Sequence, residues 1–289
     1  MAITIDKAFV QQYRDMVIHL AQQGETRIRP HVTEVTLRGE SYNFDRLAST
    51  DAVQKVGRRQ DTAYIDDTWS RRVAQPQTWN HTMSIEHEDK VQMLIDPQSA
   101  YAENQAMAMR RAIDDQIIAA ATGTALDGDG AANAFPAGQK VGDGTGKITF
   151  DVVTAVQEKL LGNDIFLDVP KVFVVGPVQV RTLMQLTENT SSDYVKTNLQ
   201  ELSATGIVPN WMGFTWIVSN RLLAPGAGEI SCLAFTKRAL GLAVNQDMFV
   251  RIGENPAKQY MIQVFAQYTM GCVRVEDEQI VHVHLLDSV

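Results

Sequence analysis

Two histidines near the end of the chain, His282 and His284, are the clearest candidates for chemistry. They are two residues apart in a run that alternates apolar and polar side chains, which predicts a β-strand with both rings on one face. A metal site needs three or four ligands, and the neighbours of these histidines are valine and leucine. We therefore expect a histidine pair at the surface or between subunits, and no metal site.

Two glycine-rich motifs imitate ligand loops but lack required residues. The run GDGTGK at 142–147 fails as a P-loop, because Val141 replaces the first glycine and Ile148 replaces the Ser or Thr that binds magnesium. The run DGDG that starts at Asp127 begins like a calcium loop, but an alanine stands at the third ligand position. We interpret residues 122–147 as a flexible surface loop.

The paired carboxylates are not placed to form an acid–base site. Asp114 and Asp115 are adjacent on a predicted helix and point about 100° apart, and Asp66–Asp67 lie in a polar segment with no enclosing pocket. We expect both pairs to form ion pairs with nearby arginines. No G-x-S-x-G, C-x-x-C or H-E-x-x-H motif is present. The sequence offers no catalytic, cofactor-binding or metal-binding set, so we expect a protein that is not an enzyme.

Composition narrows the class of protein further. The chain has 289 residues, is 45% hydrophobic and carries a net charge of −8, so it can bury a large core but does not favour wrapping nucleic acid. No apolar run approaches the length of a membrane span. Cys232 and Cys272 lie in apolar runs, which is typical of buried free thiols in a reducing compartment.

The first third of the chain is poor in clustered apolar residues. A short amphipathic helix is predicted over residues 6–23, and alternating strands over 31–47 and 77–85. We interpret residues 33–85 as one long hairpin whose tip, residues 48–72, is loose and polar. Because an isolated two-stranded hairpin is marginal in water, we expect this part of the chain to find its apolar cover on sister copies of the protein.

A long helix is predicted next, over Pro97–Ala121. Proline suits a first helical turn, and apolar residues recur at helical spacing as far as Ala120. Asp114 falls off this stripe, so we expect it outside the buried face. At about 1.5 Å per residue the helix is close to 40 Å long, which exceeds the typical globular length.

The rest of the chain predicts a mixed domain followed by strands. Thr149 has the side chain to cap a helix, and Gly162 can end it. Apolar runs then alternate with helical patterns, and the tail alternates apolar and polar residues. The predicted elements are helices over 149–162, 177–187 and 191–204 and strands over 171–175, 213–218, 230–235 and 260–285.

This order of elements, with three local stretches, resembles the major capsid proteins of tailed bacteriophages, which have the Hong Kong 97-type fold. RRQDTAYIDDTWSRRVAQPQTW (58–79) is similar to the strand-rich segment before the spine helix of that family. IEHEDKVQMLIDPQSAYAENQAMAMRRAIDDQIIAAATG (85–123) is similar to the spine entry and helix, and FAQYTMGCVRVEDEQIVHVHL (265–285) to the closing strands. The resemblance implies an α+β fold.

The resemblance also implies a division into domains and a mode of assembly. The family builds hexamers and pentamers of an icosahedral shell around double-stranded DNA, within a virion made in the cytoplasm of a bacterial host. The implied parts are an N-terminal arm over 1–32, an extended loop (E-loop) over 33–84, a peripheral P-domain over 85–147 and 246–289 with the spine helix at 97–121, and an axial A-domain over 148–245.

Partners and contact residues follow from the same resemblance. A separate scaffolding protein, a portal and a decoration or cement protein are implied, with weak non-specific contact to the packaged DNA and no membrane. Aromatic residues and arginine pairs are the candidate inter-subunit contacts; local hairpin packing explains the aromatic residues equally well. The candidates are Tyr42, Phe44, Trp69, Trp79, Arg58, Arg59, Arg71, Arg72, Arg110 and Arg111.

Two other functions stay open at the level of sequence. An encapsulin nanocompartment shares the fold and would enclose a cargo enzyme, although the long extended segment here favours a phage shell. A cytosolic enzyme with its α/β domain at 148–245 would need a convergent pocket with a perturbed acid or base. The sequence presents no residues for such a pocket.

Overall fold

The computed structural model describes residues 23–55, 57–58, 64–86, 98–185 and 210–287. Apart from Gln23, the predicted helices over 6–23 and 191–204 lie outside the described residues. The helices that are described are α1 (Gln98–Thr122), α2 (Phe150–Gly162) and α3 (Pro177–Met184). The strands are β1 (Thr33–Thr36), β2 (Tyr42–Leu47), β3 (Trp69–Ala74), β4 (Gln77–Ile85), β5 (Ala125–Asp127), β6 (Ala132–Asn133), β7 (Lys140–Val141), β8 (Lys171–Val175), β9 (Asn210–Trp211), β10 (Phe214–Val218), β11 (Glu229–Thr236), β12 (Leu240–Asn255), β13 (Met261–Arg274) and β14 (Ile280–Leu286).

The longest strands, β12 and β13, pair antiparallel and form the middle of a four-stranded sheet with the order β1-β12-β13-β4. Helix α1 lies on one face of this sheet. Its apolar side chains, among them Met109, Ile113 and Ile117, share one buried cluster with Tyr268 and Met270 of β13. The predicted long helix is therefore confirmed, and its apolar stripe is buried because the β12–β13 pair covers it.

A six-stranded sheet with the order β7-β14-β11-β8-β10-β9 forms the second body of the fold. Strand β8 is buried along its whole length, because alternate residues enter two different cores: Val172 and Val174 lie in the cluster under α1, and Phe173 and Val175 face α2. The Thr149 hydroxyl accepts a hydrogen bond from the N–H of Val152, so it caps α2 as predicted.

The third sheet is built on the extended part of the chain and has the order β2-β3-β5-β6. Strands β2 and β3 form an antiparallel hairpin in which Tyr42 pairs with Ala74 and Leu47 with Trp69. The prediction of a single hairpin over 33–85 is wrong, since β1 pairs with β12 and β4 pairs with β13. Strands β1 and β4 are instead the two edges of the β1-β12-β13-β4 sheet, which the sequence pattern does not predict.

The expectation that the first third of the chain depends on sister copies for its cover is also wrong for most of the described part. Ile28 and Val32 are buried in the cluster under α1, and Leu37 and Ala74 in a smaller cluster below the third sheet. The described residues between Leu47 and Trp69 behave differently, because every one of them is exposed. We call residues 48–68 the extended segment.

Two further differences concern the middle of the chain. Residues 122–147 are not a plain loop, because β5, β6 and β7 lie there and β5 pairs with β3. Strand β12 spans the boundary drawn between residues 245 and 246, and β14 lies in the sheet that contains β8, β10 and β11. The sheets therefore divide the chain differently from the implied domains.

Asp114 is fully buried, in contrast to the sequence prediction. Its carboxylate accepts hydrogen bonds from the backbone N–H groups of Arg27 (2.9 Å) and Ile28 (3.3 Å) and from Nε2 of Gln23 (2.5 Å). Burial raises the pKa of Asp114. Nearby, the Arg110 guanidinium donates to the carbonyl oxygen of Gly24 at 2.6 Å. One turn of α1 therefore holds the chain at residues 23–28.

The first test removes this anchor. Replacing Asp114 with Ala leaves buried N–H donors without an acceptor, so we expect a loss of about 2–4 kcal/mol in the free energy of unfolding. The matched control is Asp115→Ala, because Asp115 pairs with Arg221 at the surface and exposed pairs contribute only about 0–1 kcal/mol. Urea unfolding of the unassembled subunit measures both. Equal losses in the two variants would contradict the anchoring role.

Candidate functional site

The two histidines lie on one face of β14, as predicted, with stacked rings whose centroids are 6.1 Å apart. His282 forms a hydrogen bond with the Ser231 hydroxyl, and Nε2 of His284 lies 2.9 Å from Oε2 of Glu229. Ser231 is only 2% exposed, so it cannot meet a substrate as a nucleophile. The pair joins β14 to β11 within the subunit and is not a free surface pair.

Burial lowers the pKa of His282 to about 4, with smaller contributions from His284 and Lys140. A base with this pKa is neutral at physiological pH. The other ring close to it belongs to Phe135, 5.8 Å away between centroids. These surroundings suit a packed histidine that supports the sheet.

The acidic motifs are used within their own turns. Asp129 accepts from the N–H of Ala131, and Asp143 accepts from the N–H of Thr145, both at 3.1 Å. Within the described ranges, no group of three His, Cys, Asp or Glu side chains is arranged to hold a metal ion. Over the same residues, no helix is long and apolar enough to cross a membrane. Cys232 and Cys272 are free thiols, the first buried and the second partly buried.

The extended segment is an exposed stretch that carries large apolar side chains. Tyr64 is 92% exposed and Val53 66%, although both are large apolar side chains. Trp69, at the base of the segment, is 67% exposed. Ile65, next to Tyr64, is also 48% exposed, and exposed apolar side chains that form one patch mark an interaction site. The extended segment is therefore the candidate functional surface of the chain.

The extended segment is joined to the body through a close-packed base. The N–H of Ala48 donates to the carbonyl oxygen of Thr68 at 3.0 Å, which closes the β2–β3 hairpin beneath it. Below this closure the Phe44 ring lies against Gly241 of β12, where a Cβ atom would collide with it. The aromatic rings of Tyr42 and Phe44 meet edge to face, with centroids 4.8 Å apart.

The strands beneath the hairpin carry small residues where the hairpin packs on them. Gly241, Ala243, Gly271 and Val273 lie together on the face of β12–β13 opposite α1, and we call these four residues the seat. A Cβ added to Gly271 would lie 2.5 Å from the carbonyl oxygen of Gln75, which belongs to the link between β3 and β4. Gly271 has no side chain because the backbone of this link approaches β13 closely, and Gly241 has none because the Phe44 ring lies against β12.

An ionic cluster lies beside the seat. The Arg72 guanidinium, 1% exposed, donates to Asp127 at 2.6 Å and to Asp277 at 2.7 Å. Arg274, fully buried, also pairs with Asp277. We call Arg72, Asp127, Arg274 and Asp277 the clamp. It connects β3 of the hairpin to β5 and to the link between β13 and β14.

The predicted contact residues therefore separate into groups. Trp69, Trp79 (46% exposed) and Arg58 lie at the surface. Arg71 is exposed and pairs with Asp45 across the hairpin at 2.7 Å. Arg72 is buried in the clamp, so it cannot contact a neighbouring molecule and is no longer a candidate inter-subunit contact.

The remaining candidates lie inside the subunit or outside the described chain. Tyr42 and Phe44 are partly buried against the seat, in agreement with the local-packing alternative. Arg110 holds Gly24, Arg111 is partly buried, and Arg59 lies outside the described residues. Sequence reasoning missed the seat and the clamp. The available signal was glycine inside a strand-like run, as in GCVRV, which indicates close backbone approach.

Comparison with known proteins gives a consistent result. A family model described as phage capsid protein matches residues 5–287. A solved structure of Mycobacterium phage Che8 is similar with a TM-score of 0.74 at 17% identity, covering 96% of this chain and 97% of that chain. The capsid structure of the cyanophage P-SCSP1u is similar with a TM-score of 0.74 at 16% identity, covering 97% and 94%. The capsid of Ralstonia phage GP4 has a TM-score of 0.73 at 10% identity, covering 100% and 98%. No curated protein sequence matches the chain.

Substitution in the seat tests its packing. Gly271→Ala places a methyl group against the backbone of Gln75, so we expect a loss of about 1–3 kcal/mol in the free energy of unfolding, as for other overpacked cores. Gly253→Ala is the matched control, because it changes the same β12–β13 hairpin at a glycine with no atom close to the new Cβ. Urea unfolding of both variants measures the difference. A Gly271→Ala subunit as stable as the control would contradict the close approach.

The lowered pKa of His282, which is partly buried, predicts that the stability of the subunit depends on pH. The unfolded chain protonates His282 near pH 6.5, but the folded pKa is about 4, so between these values only the unfolded chain binds the proton. The contribution to stability is complete above about pH 6.5 and is lost as the pH falls towards 4. We expect the melting temperature of His282→Asn to fall less between pH 7 and 4.5 than that of the wild type. Calorimetry with His81→Asn as control checks this, and parallel curves for wild type and His282→Asn would exclude it.

Proposed function

Since this chain belongs to the phage capsid protein family, as a major capsid protein with the Hong Kong 97-type fold, we propose that it builds an icosahedral phage head from hexamers and pentamers that enclose double-stranded DNA. The virion is then its site of action, after synthesis in the cytoplasm of a bacterial host. The family consists of structural proteins, and the match favours a phage shell over an encapsulin or a cytosolic enzyme.

One observation carries the proposal. The extended segment is exposed over all its described residues, yet it starts from a hairpin that is packed on the seat and tied by the clamp. A flexible tail would need no such base. A segment with a fixed base and an exposed end can lie on a neighbouring subunit in one defined position, as the E-loop assigned to residues 33–84 would do.

The proposed contacts use the exposed members of the candidate set. Trp69 and Trp79 can anchor an interface with large aromatic area, and Arg58 and Arg71 can pair with acidic residues of a neighbour. A specific interface of this kind buries on the order of 800 Å² per partner. Because each subunit of a closed shell makes several contacts at once, contacts of modest strength produce a stable particle.

The other parts keep the assignments implied by the resemblance. The arm is residues 1–32, the P-domain is 85–147 with 246–289, and the A-domain is 148–245, with β14 added to the sheet of the A-domain. A scaffolding protein, a portal and a decoration or cement protein complete the proposed partners. The net charge of −8 favours weak contact with packaged DNA, because like charges repel.

Removal of the extended segment tests the function. Replacing residues 49–67 by a short Gly-Ser turn keeps the closure between Ala48 and Thr68, so the subunit should fold and unfold like the wild type. We expect it to form few or no shells, because it has lost its reach to the neighbour. Electron microscopy and light scattering, with and without a scaffolding protein, measure assembly.

A length-matched control separates reach from sequence. Replacing residues 49–67 by an equally long Gly-Ser sequence keeps the reach but removes the side chains. If both replacements assemble like the wild type, the extended segment has no role in assembly. If only the short one fails, reach alone is required, and the contacts proposed within the segment are wrong.

A further inference from the structure

We infer that the clamp sets the direction in which the extended segment leaves the subunit, so that Arg72, Asp127, Arg274 and Asp277 act as positioning residues for shell curvature. The second half of this inference rests on the proposed function. The first half concerns the subunit alone and can be measured without assembly.

Arg72 carries the hairpin side of the clamp. It lies on β3 opposite Phe44 of β2, so it belongs to the strand that continues into the extended segment. Its two terminal nitrogens donate to different acids, Asp127 and Asp277. A planar guanidinium held at both ends resists rotation in its plane. The hairpin is thus fixed at a point close to the base of the extended segment.

Arg274 carries the body side. Its guanidinium donates to the carbonyl oxygens of Gly123 (2.6 Å), Asn133 (3.1 Å) and Ala134 (3.2 Å) and lies 5.0 Å from the centre of the Phe135 ring. Gly123 directly follows α1, where the helix dipole favours a positive charge. The Arg274 side chain therefore connects the end of the spine helix to the end of β13.

Asp277 connects the two halves. One of its oxygens accepts from Arg72 and the other from Arg274, so the hairpin is linked through this carboxylate to the arginine that holds the end of the spine helix. With Asp127 the cluster holds two positive and two negative charges. Breaking one partner of a buried ionic group is far more costly than losing an exposed pair, and the clamp resists small displacements for this reason.

Small rotations at the base matter because the segment is long. Arg58 lies ten positions after Ala48, so the segment can reach about 30 Å from its base at about 3.3 Å per residue. A rotation of about 5° at the base would then move the tip by about 3 Å, which exceeds the tolerance of a hydrogen-bonded contact. The angle held by the clamp is therefore the angle at which a neighbour is met.

The same hairpin provides a matched control. Arg71 and Asp45 form an ion pair of the same chemistry, but their side chains are 60% and 48% exposed and connect β2 only to β3. Asp45→Asn removes an exposed pair inside the hairpin. Asp277→Asn removes a carboxylate that is 23% exposed and joins the hairpin to the body through two buried arginines, with almost no change in shape.

The decisive measurement is the distance from the hairpin to the body in the unassembled subunit. Spin labels at Ser49→Cys and Arg238→Cys, in a chain whose two native cysteines are replaced by Ala, report it by electron-electron double resonance. We expect a narrow distribution for the wild type and Asp45→Asn, and one broadened or shifted by several ångström for Asp277→Asn. A distribution unchanged in Asp277→Asn would overturn the inference. If that variant does not fold, Asp277→Glu, which keeps the charge on a longer side chain, takes its place with the same expectation.

Shell geometry is the second readout. Folded Asp277→Asn subunits should form particles with a wider range of diameters or open sheets, and Asp45→Asn subunits should form normal shells. Normal shells from Asp277→Asn would refute the effect on curvature. If the wild type forms no shells while the label distances change as expected, the positioning role stands and the proposed function fails.

Discussion

The antiparallel pair β12–β13 is the element on which the rest of the structure depends, because residues 240–244 of β12 are buried on both faces. On one face the large side chains of β13 pack under α1. On the other face the seat is made of small residues, and the hairpin of the extended segment lies directly on it. Helix, strand pair and hairpin therefore form three layers. A change in the position of β12–β13 would move the spine helix and the base of the extended segment together.

Apolar packing and ionic contacts have different effects at the base of the extended segment. The seat supplies close contact, but small flat residues permit one layer to slide over another. The clamp supplies direction, because its donors and acceptors match at one relative position only. Buried ion pairs often contribute little to net stability, and specificity of arrangement is the better-attested reason for keeping them. The clamp fits that description, since it lies between layers that packing alone would not align.

The parts of the fold that could be predicted from the sequence are those with local signals. Helix α1, the cap at Thr149, strand β8 and the alternation in β4 and β13 each follow from periodicity or from a capping residue. Strand β12 was missed, because Gly241, Gly253 and several polar residues interrupt its pattern. Without β12 the partners of β1 and the seat could not be inferred. The burial of Asp114 was missed for a related reason: its partners are backbone N–H groups of Arg27 and Ile28, and backbone donors leave no trace in a sequence.

The proposed contact surface is hard to recognise in the sequence for a reason that the proposed function imposes. Before assembly the extended segment is in water, so it cannot carry the continuous apolar surface of a permanent interface without promoting aggregation. A mostly polar segment with one aromatic residue, Tyr64, and with Trp69 exposed at its base meets this requirement. In the proposed shell each contact is then weak by itself, and the particle depends on many contacts being made at the same angle. Weak contacts tolerate little misalignment, which is why the base of the extended segment is fixed both by the seat and by the clamp.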